Sequence, residues 1–126
     1  MKKIITSSKA PAPVGPYSQA VEVNNVLYCS GQIPLNPETG ELVMDSIEAQ
    51  TQQVMENISA VLAAAGLGFE HVFKAAIFIT DMNDFSRINE VYAKYFKEEP
   101  PARSCVQVAA LPKGVNVEIE VIAYRS

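Results

Sequence analysis

Histidine is almost missing from this chain. His71 is the only one, which excludes a histidine pair for acid–base relay and any multi-histidine metal site. Cysteine is as scarce. Cys29 and Cys105 lie far apart in strand-like segments, with no zinc-ligand spacing, and in a reducing cytosol such residues are expected as free thiols. A Cys105 nucleophile would need an activating base, and no histidine stands beside it in sequence. No run of lysines or arginines occurs, and the net charge of −4 with a pI of about 4.9 lacks the basic footprint of a nucleic-acid binder. Apolar runs such as AVLAAAGL (60–67) fall short of the ~20 residues that span a bilayer, and MKKIITSSKAP at the N-terminus has no signal-peptide core. The expectation is a cytoplasmic protein with neither membrane nor nucleic acid as partner.

What the sequence does contain is enough for a single domain, residues 1–126, since 48% of its residues are hydrophobic. SKAPAPVGPYS (8–18) carries three prolines and a glycine and reads as an ordered or extended loop. QAVEV and VLYCSGQ flank Asn24-Asn25, two residues that tolerate positive φ, and predict a β-hairpin. From Ser46 to Ala65 the apolar positions Ile47, Val54, Ile58, Val61, Leu62 and Ala65 form a helical stripe, capped by Asp45 or Ser46 and stopped by Gly66. VFKAAIFIT (72–80) reads as a central strand. A second helix is expected from about Asp84 to Lys97, with Phe85, Ile88, Tyr92, Tyr95 and Phe96 on one side and Pro100-Pro101 beyond it. SCVQVAAL and VNVEIEVIAY, joined by PKGVN, close the chain as strands. With a short strand at 2–6 the order is β-β-β-α-β-α-β-β, an α+β fold with both helices on one face of a sheet. The other face then needs cover, and a second copy of the chain is the candidate.

Alternation along the last strand puts Val117, Ile119 and Val121 on one side and Glu118, Glu120, Ile122 and Tyr124 on the other. Two carboxylates on one side are either a solvated surface or part of a cleft. Arg103, Cys105 and Gln107 share one side of their strand. An arginine at the mouth of an apolar strand offers a rigid fork of donors, suited to a glutamate across the sheet or to a ligand carboxylate with a glutamate nearby to handle a proton or a water.

GPYSQA (15–20), SGQIPLNPETGEL (30–42), NDFSRINEVYAKYF (83–96) and PPARSCVQVAALPKGVNVEIEVIA (100–123) strongly resemble the Rid family, the YjgF-like imine deaminases, and most closely its archetypal RidA branch. The resemblance covers essentially the whole chain. It implies a chorismate-mutase-like fold, a homotrimer around a central barrel of sheets, and ligand clefts between subunits. It further implies hydrolysis of 2-imino acids and their enamine tautomers, such as 2-aminoacrylate/2-iminopropanoate and 2-iminobutanoate, to 2-keto acids and ammonia, with neither metal nor organic cofactor. By position, Arg103 matches the arginine that grips the substrate carboxylate and Glu118 the glutamate that orients or activates water. Cys105 matches a pocket-lining cysteine, Tyr17 the tyrosine that closes the cleft, and Ser30 and Gly31 the segment whose backbone faces the ligand. Glu120 is either a site residue or structural. A keto-acid-binding sensor or holdase could use the same cleft without turnover, separable from the enzyme at Glu118. An endoribonuclease, a label attached to some relatives, sits poorly with the acidic charge and lone histidine.

Overall fold

Two asparagines set the first turn. In the computed structural model, which describes residues 1–126, Asn24 and Asn25 take φ of 50° and 68°. Positive φ at both central residues is the type I′ hairpin geometry, whose twist matches paired strands. The turn joins β2 (Ala20–Val23) to β3 (Val26–Cys29), and β1 (Lys3–Ile5) adds antiparallel to β2.

The chain then leaves the sheet for α1 (Ile47–Ala64). Ser46 is its cap, with Oγ accepting from the Ala49 amide at 3.0 Å, and Gly66 at φ 75° provides the left-handed residue just beyond its end. β4 (Val72–Ile79), α2 (Phe85–Ala93) and β5 (Ala102–Gln107) follow as a crossover that pairs β4 and β5 in parallel. β6 (Val117–Tyr124) inserts between β3 and β4, antiparallel to both. The resulting mixed sheet has the order β1-β2-β3-β6-β4-β5.

Both helices lie on one face, as expected. Val54, Met55, Ile58, Val61 and Leu62 of α1 and Ile88 and Tyr92 of α2 share a core with Leu27, Ala75, Ile77, Ile79, Val117, Ile119 and Val121 of the sheet. Burial of these apolar side chains is the main term holding the layers together. The opposite face carries no helix. Tyr28, Val106 and Tyr124 are each about half exposed there, beside Ile4 and Val23. No helix is long and apolar enough to cross a membrane.

Element ends differ from expectation for local reasons. α2 stops at Ala93 rather than Lys97 because the chain tightens into i→i−3 bonds, with the Lys94, Tyr95 and Phe96 amides donating to Val91, Tyr92 and Ala93. That tightening accompanies contact of the Tyr95 and Phe96 rings with Phe69, each at 5.2 Å between centroids. β5 begins at Ala102 and ends at Gln107, and its neighbour is β4, so β5 and β6 never pair.

Candidate functional site

β6 is buried on alternate residues, so Val117, Ile119 and Val121 face the core while Glu118 and Glu120 face the uncovered side. There they line a hollow of about 410 Å³, together with Tyr17, Ser30, Gly31, Ile33 and Lys113. Burial, and secondarily the neighbouring Glu120 charge, push the Glu118 carboxyl above the usual carboxylate range. None of the chain's three ion pairs includes either glutamate.

The floor of the hollow is Gly31. A Cβ there would lie 2.1 Å from Glu118 Oε2 and 2.9 Å from its carboxyl carbon, so the glutamate rests where any other residue would put a side chain. Gly31 is absent from the positive-φ residues, and close approach rather than backbone twist is what requires the glycine. The flanking amides are engaged: Ser30 N–H donates to Gln19 O at 2.9 Å and Gln32 N–H to Ile119 O at 2.9 Å, whereas the Gly31 N–H has no backbone partner. Ser30 Oγ donates to Ser18 O at 2.6 Å, so its hydroxyl ties down the preceding loop. The Tyr17 ring stands half exposed at the rim.

Arg103 lies elsewhere. It sits opposite Ala75 across the β4–β5 pair, and Ala75 pairs with Val121 of the core face. Glu118 pairs with Phe78, of the opposite parity on β4. Arg103 and Glu118 of one chain are therefore on opposite faces of the sheet, and the ion pair across the sheet allowed by the sequence is not formed. Cys105, two residues on, shares the face of Arg103.

The arginine is nonetheless held. Nη1 donates to Asn89 Oδ1 at 2.7 Å, and the guanidinium carbon stands 5.5 Å from the Phe85 ring centroid and 5.0 Å from that of Tyr92. Two aromatic faces and one amide fix a cation that has no carboxylate within ion-pair distance. Burial raises the Cys105 thiol above its usual range, against an opposing pull from the Arg103 charge. Cys29 is buried in the core and pushed up to about 12, too high for a thiolate at neutral pH.

The structure thus brings Tyr17, Ser30, Gly31, Glu118 and Glu120 together and leaves Arg103 and Cys105 apart from them. The sequence reading missed Lys113, Ile33 and above all Asn89. Its signal was present: Asn89 is a polar residue inside the apolar stripe of α2, four residues after Phe85 and three before Tyr92, at the spacing that puts all three on one face. His71 sits in the turn Phe69–His71, where Nδ1 accepts from the Gly68 amide at 3.0 Å, far from either cluster in role.

Residues 7–125 match the protein-family model described as Endoribonuclease L-PSP. A RutC family protein of Pyrococcus horikoshii is 53% identical over 125 residues, covering 99% of both chains. The mouse protein named 2-iminobutanoate/2-iminopropanoate deaminase is 47% identical over 123 residues, 98% of this chain and 91% of that one. The crystal structure of Escherichia coli TdcF with bound serine superposes with a TM-score of 0.94 at 48% identity, covering 98% of this chain and 99% of the other.

Proposed function

The chain belongs to the Rid (YjgF-like) family described as Endoribonuclease L-PSP, and on that premise we propose that it is a hydrolytic deaminase of 2-imino and 2-enamino acids, releasing 2-keto acids and ammonia. The observation that carries the reading is a pair of incomplete half-sites. One holds an arginine without a carboxylate, the other a glutamate without a cation partner, and they face opposite ways. A second copy of the chain, presenting Arg103 from its β5 edge to the Glu118 hollow, would complete both. The half-exposed tyrosines and valines of the uncovered face supply an apolar surface for such association, and a homotrimer is the assembly proposed.

In the completed cleft Arg103 grips the substrate carboxylate through its fork, preorganised by Asn89, Phe85 and Tyr92. Glu118 takes a proton from water as the oxygen attacks C2 of the protonated imine. The proton then passes from Glu118 to the nitrogen of the tetrahedral intermediate. The C–N bond breaks with its electron pair leaving on ammonia while the hydroxyl oxygen returns its proton to Glu118 as the carbonyl forms; ammonia takes that proton and departs as ammonium, and the 2-keto acid remains. A carboxyl whose proton affinity is raised by burial and a like charge suits these transfers. The Gly31 N–H is a free donor for a substrate oxygen and Tyr17 covers the hollow, while Cys105, on the face of Arg103, would line the cleft once a second copy completes it. The TdcF structure holds serine, whose carboxylate and Cα nitrogen are the two groups a 2-imino acid also presents. Substrates are thus small molecules, and the chemistry requires neither metal nor organic cofactor. Two carboxylates and one lysine make the hollow a poor host for a phosphodiester, which favours the deaminase over ribonuclease activity.

The test is complementation between copies. Arg103→Ala and Glu118→Gln chains, each inactive alone, are co-expressed, and keto-acid release from 2-iminobutanoate generated by a threonine dehydratase is followed. Random assembly should restore about a quarter of wild-type activity, the share of interfaces joining an intact Arg103 to an intact Glu118. No recovery in assembled protein removes the shared site. No acceleration by wild type removes the deaminase and leaves a keto-acid-binding sensor or holdase.

A further inference from the structure

The loop from Ser7 to Ser18 is a strap across the rim of the Glu118 hollow, and its Val14 and Tyr17 form part of the wall. Pro11, Pro13 and Pro16 remove three amide donors from it, so the strap cannot join the sheet by a ladder of its own. Its outer part is open: Val14 is 72% exposed and Tyr17 50%. Ser30 Oγ ties its Ser18 end, and what fastens its Ser7–Pro11 base is one other side chain. Gln19, only 3% exposed, accepts from the Ser7 amide through Oε1 at 2.6 Å and donates through Nε2 to Pro11 O at 2.8 Å and Ser7 O at 3.1 Å, with Ala10 O at 3.4 Å. A buried amide with this many main-chain partners stands in for the backbone pairing that the prolines forbid.

We propose that Gln19 is a positioning residue for the cleft: its carboxamide clamps the Ser7–Pro11 base of the strap and thereby sets where Tyr17 and Val14 stand over the substrate. The inference rests on the deaminase reading for its kinetic consequence but not for the clamp itself. Gln19 does not touch the hollow that Glu118 lines, so it acts through Tyr17 and Val14. Loosening the strap weakens substrate capture while leaving Glu118 and its water in place. The signature is a rise in KM with kcat retained.

The experiment uses Gln19→Leu in the assembled protein, with two readouts. Amide exchange followed by NMR should speed up at least about tenfold at Ser7 and Tyr17 while the β4 and β6 amides keep their protection. KM for 2-iminobutanoate should rise about tenfold with kcat within about threefold of wild type. Unchanged strap exchange, or loss of protection throughout the sheet, overturns the clamp. Faster strap exchange with unchanged KM overturns its role in the cleft. If Gln19→Leu does not fold, Gln19→Glu keeps the acceptor for Ser7 and loses the donors to Ser7 O, Ala10 O and Pro11 O, so its exchange readout is Tyr17 alone, with the same KM readout. A wild type without deaminase activity overturns the functional reading alone, and the exchange arm still decides the clamp.

Discussion

Two arginines, one on the edge strand β5 and one just past the interior strand β6, are used in opposite ways. Arg125, just past β6, has its fork filled: Nε and Nη2 donate to the Glu22 carboxylate at 3.0 and 2.8 Å, and Nη2 also donates to Ala65 O at 2.6 Å, at the end of α1. Glu22 is correspondingly held below the usual carboxylate range, first by that hydrogen bond. Arg103, on the edge strand β5, receives an amide and two aromatic faces and no carboxylate. The first corner spends its cation on joining β2 to the end of α1, and the second keeps its cation oriented and unpaired. A fixed charge without a counter-charge costs stability, and the proposed substrate carboxylate is the counter-charge that Arg103 lacks.

The sharpest way to break this contrast is Arg103→Ala. It should lower kcat/KM by about 10²-fold or more, since truncating one partner of a desolvated charge pair removes several kcal/mol of binding. Arg103→Lys should recover little, because a point charge cannot form the two-pronged grip. Thermal stability should be unchanged or raised; a large fall in melting temperature would make Arg103 a structural residue like Arg125.

Glu118→Gln comes next, with kcat reduced about 10²-fold and binding of a 2-keto acid, measured by calorimetry, kept. The same variant carries a stability prediction. The folded-state proton affinity of Glu118 is raised, so its contribution to stability is full below the unfolded carboxylate range and is lost as pH rises through the folded pKa. Glu118→Gln should therefore melt higher than wild type at neutral pH, with the gain vanishing in acid. An equal melting temperature at neutral pH would remove the burial argument.

Gly31→Ala should cost about tenfold in kcat with the fold intact, because the new Cβ must push the Glu118 carboxylate off its seat. A crystal structure of the variant with Glu118 unmoved would contradict that. Arg125→Ala reverses the pattern: the melting temperature falls and kcat/KM stays within about twofold, the edge of what is read as unchanged. The smallest effect belongs to Glu120→Gln. Loss of that charge lowers the Glu118 pKa, so the acid limb of the kcat/KM profile should move to lower pH while the plateau holds. An unmoved limb would leave Glu120 a surface residue.

Much of the fold was legible because its signals are local. Asn24-Asn25 tolerates positive φ at two adjacent residues between strand-like runs, and the structure has it there. Ser46 and Gly66 bound a helix whose apolar stripe matches a period of 3.6, and α1 lies between them. The end of α2 was not legible, since the Tyr95 and Phe96 rings turn toward Phe69, a partner more than twenty residues earlier in the chain. Strand alternation singles out Arg103, Cys105, Glu118 and Glu120, and the resemblance adds Tyr17, Ser30 and Gly31, but Asn89 escapes because a helical stripe alone does not reveal which polar side chain meets an arginine from another strand.

The sequence by itself determined which side chains of each strand share a face, because alternation is a property of one extended backbone. It thus grouped Arg103 with Cys105 and Glu118 with Glu120. Only the tertiary structure decided that the two groups face opposite ways. That relation depends on pairing register, Ala75 opposite Arg103 and Phe78 opposite Glu118 across a shared β4, and a slip of one residue in either pair would reverse it.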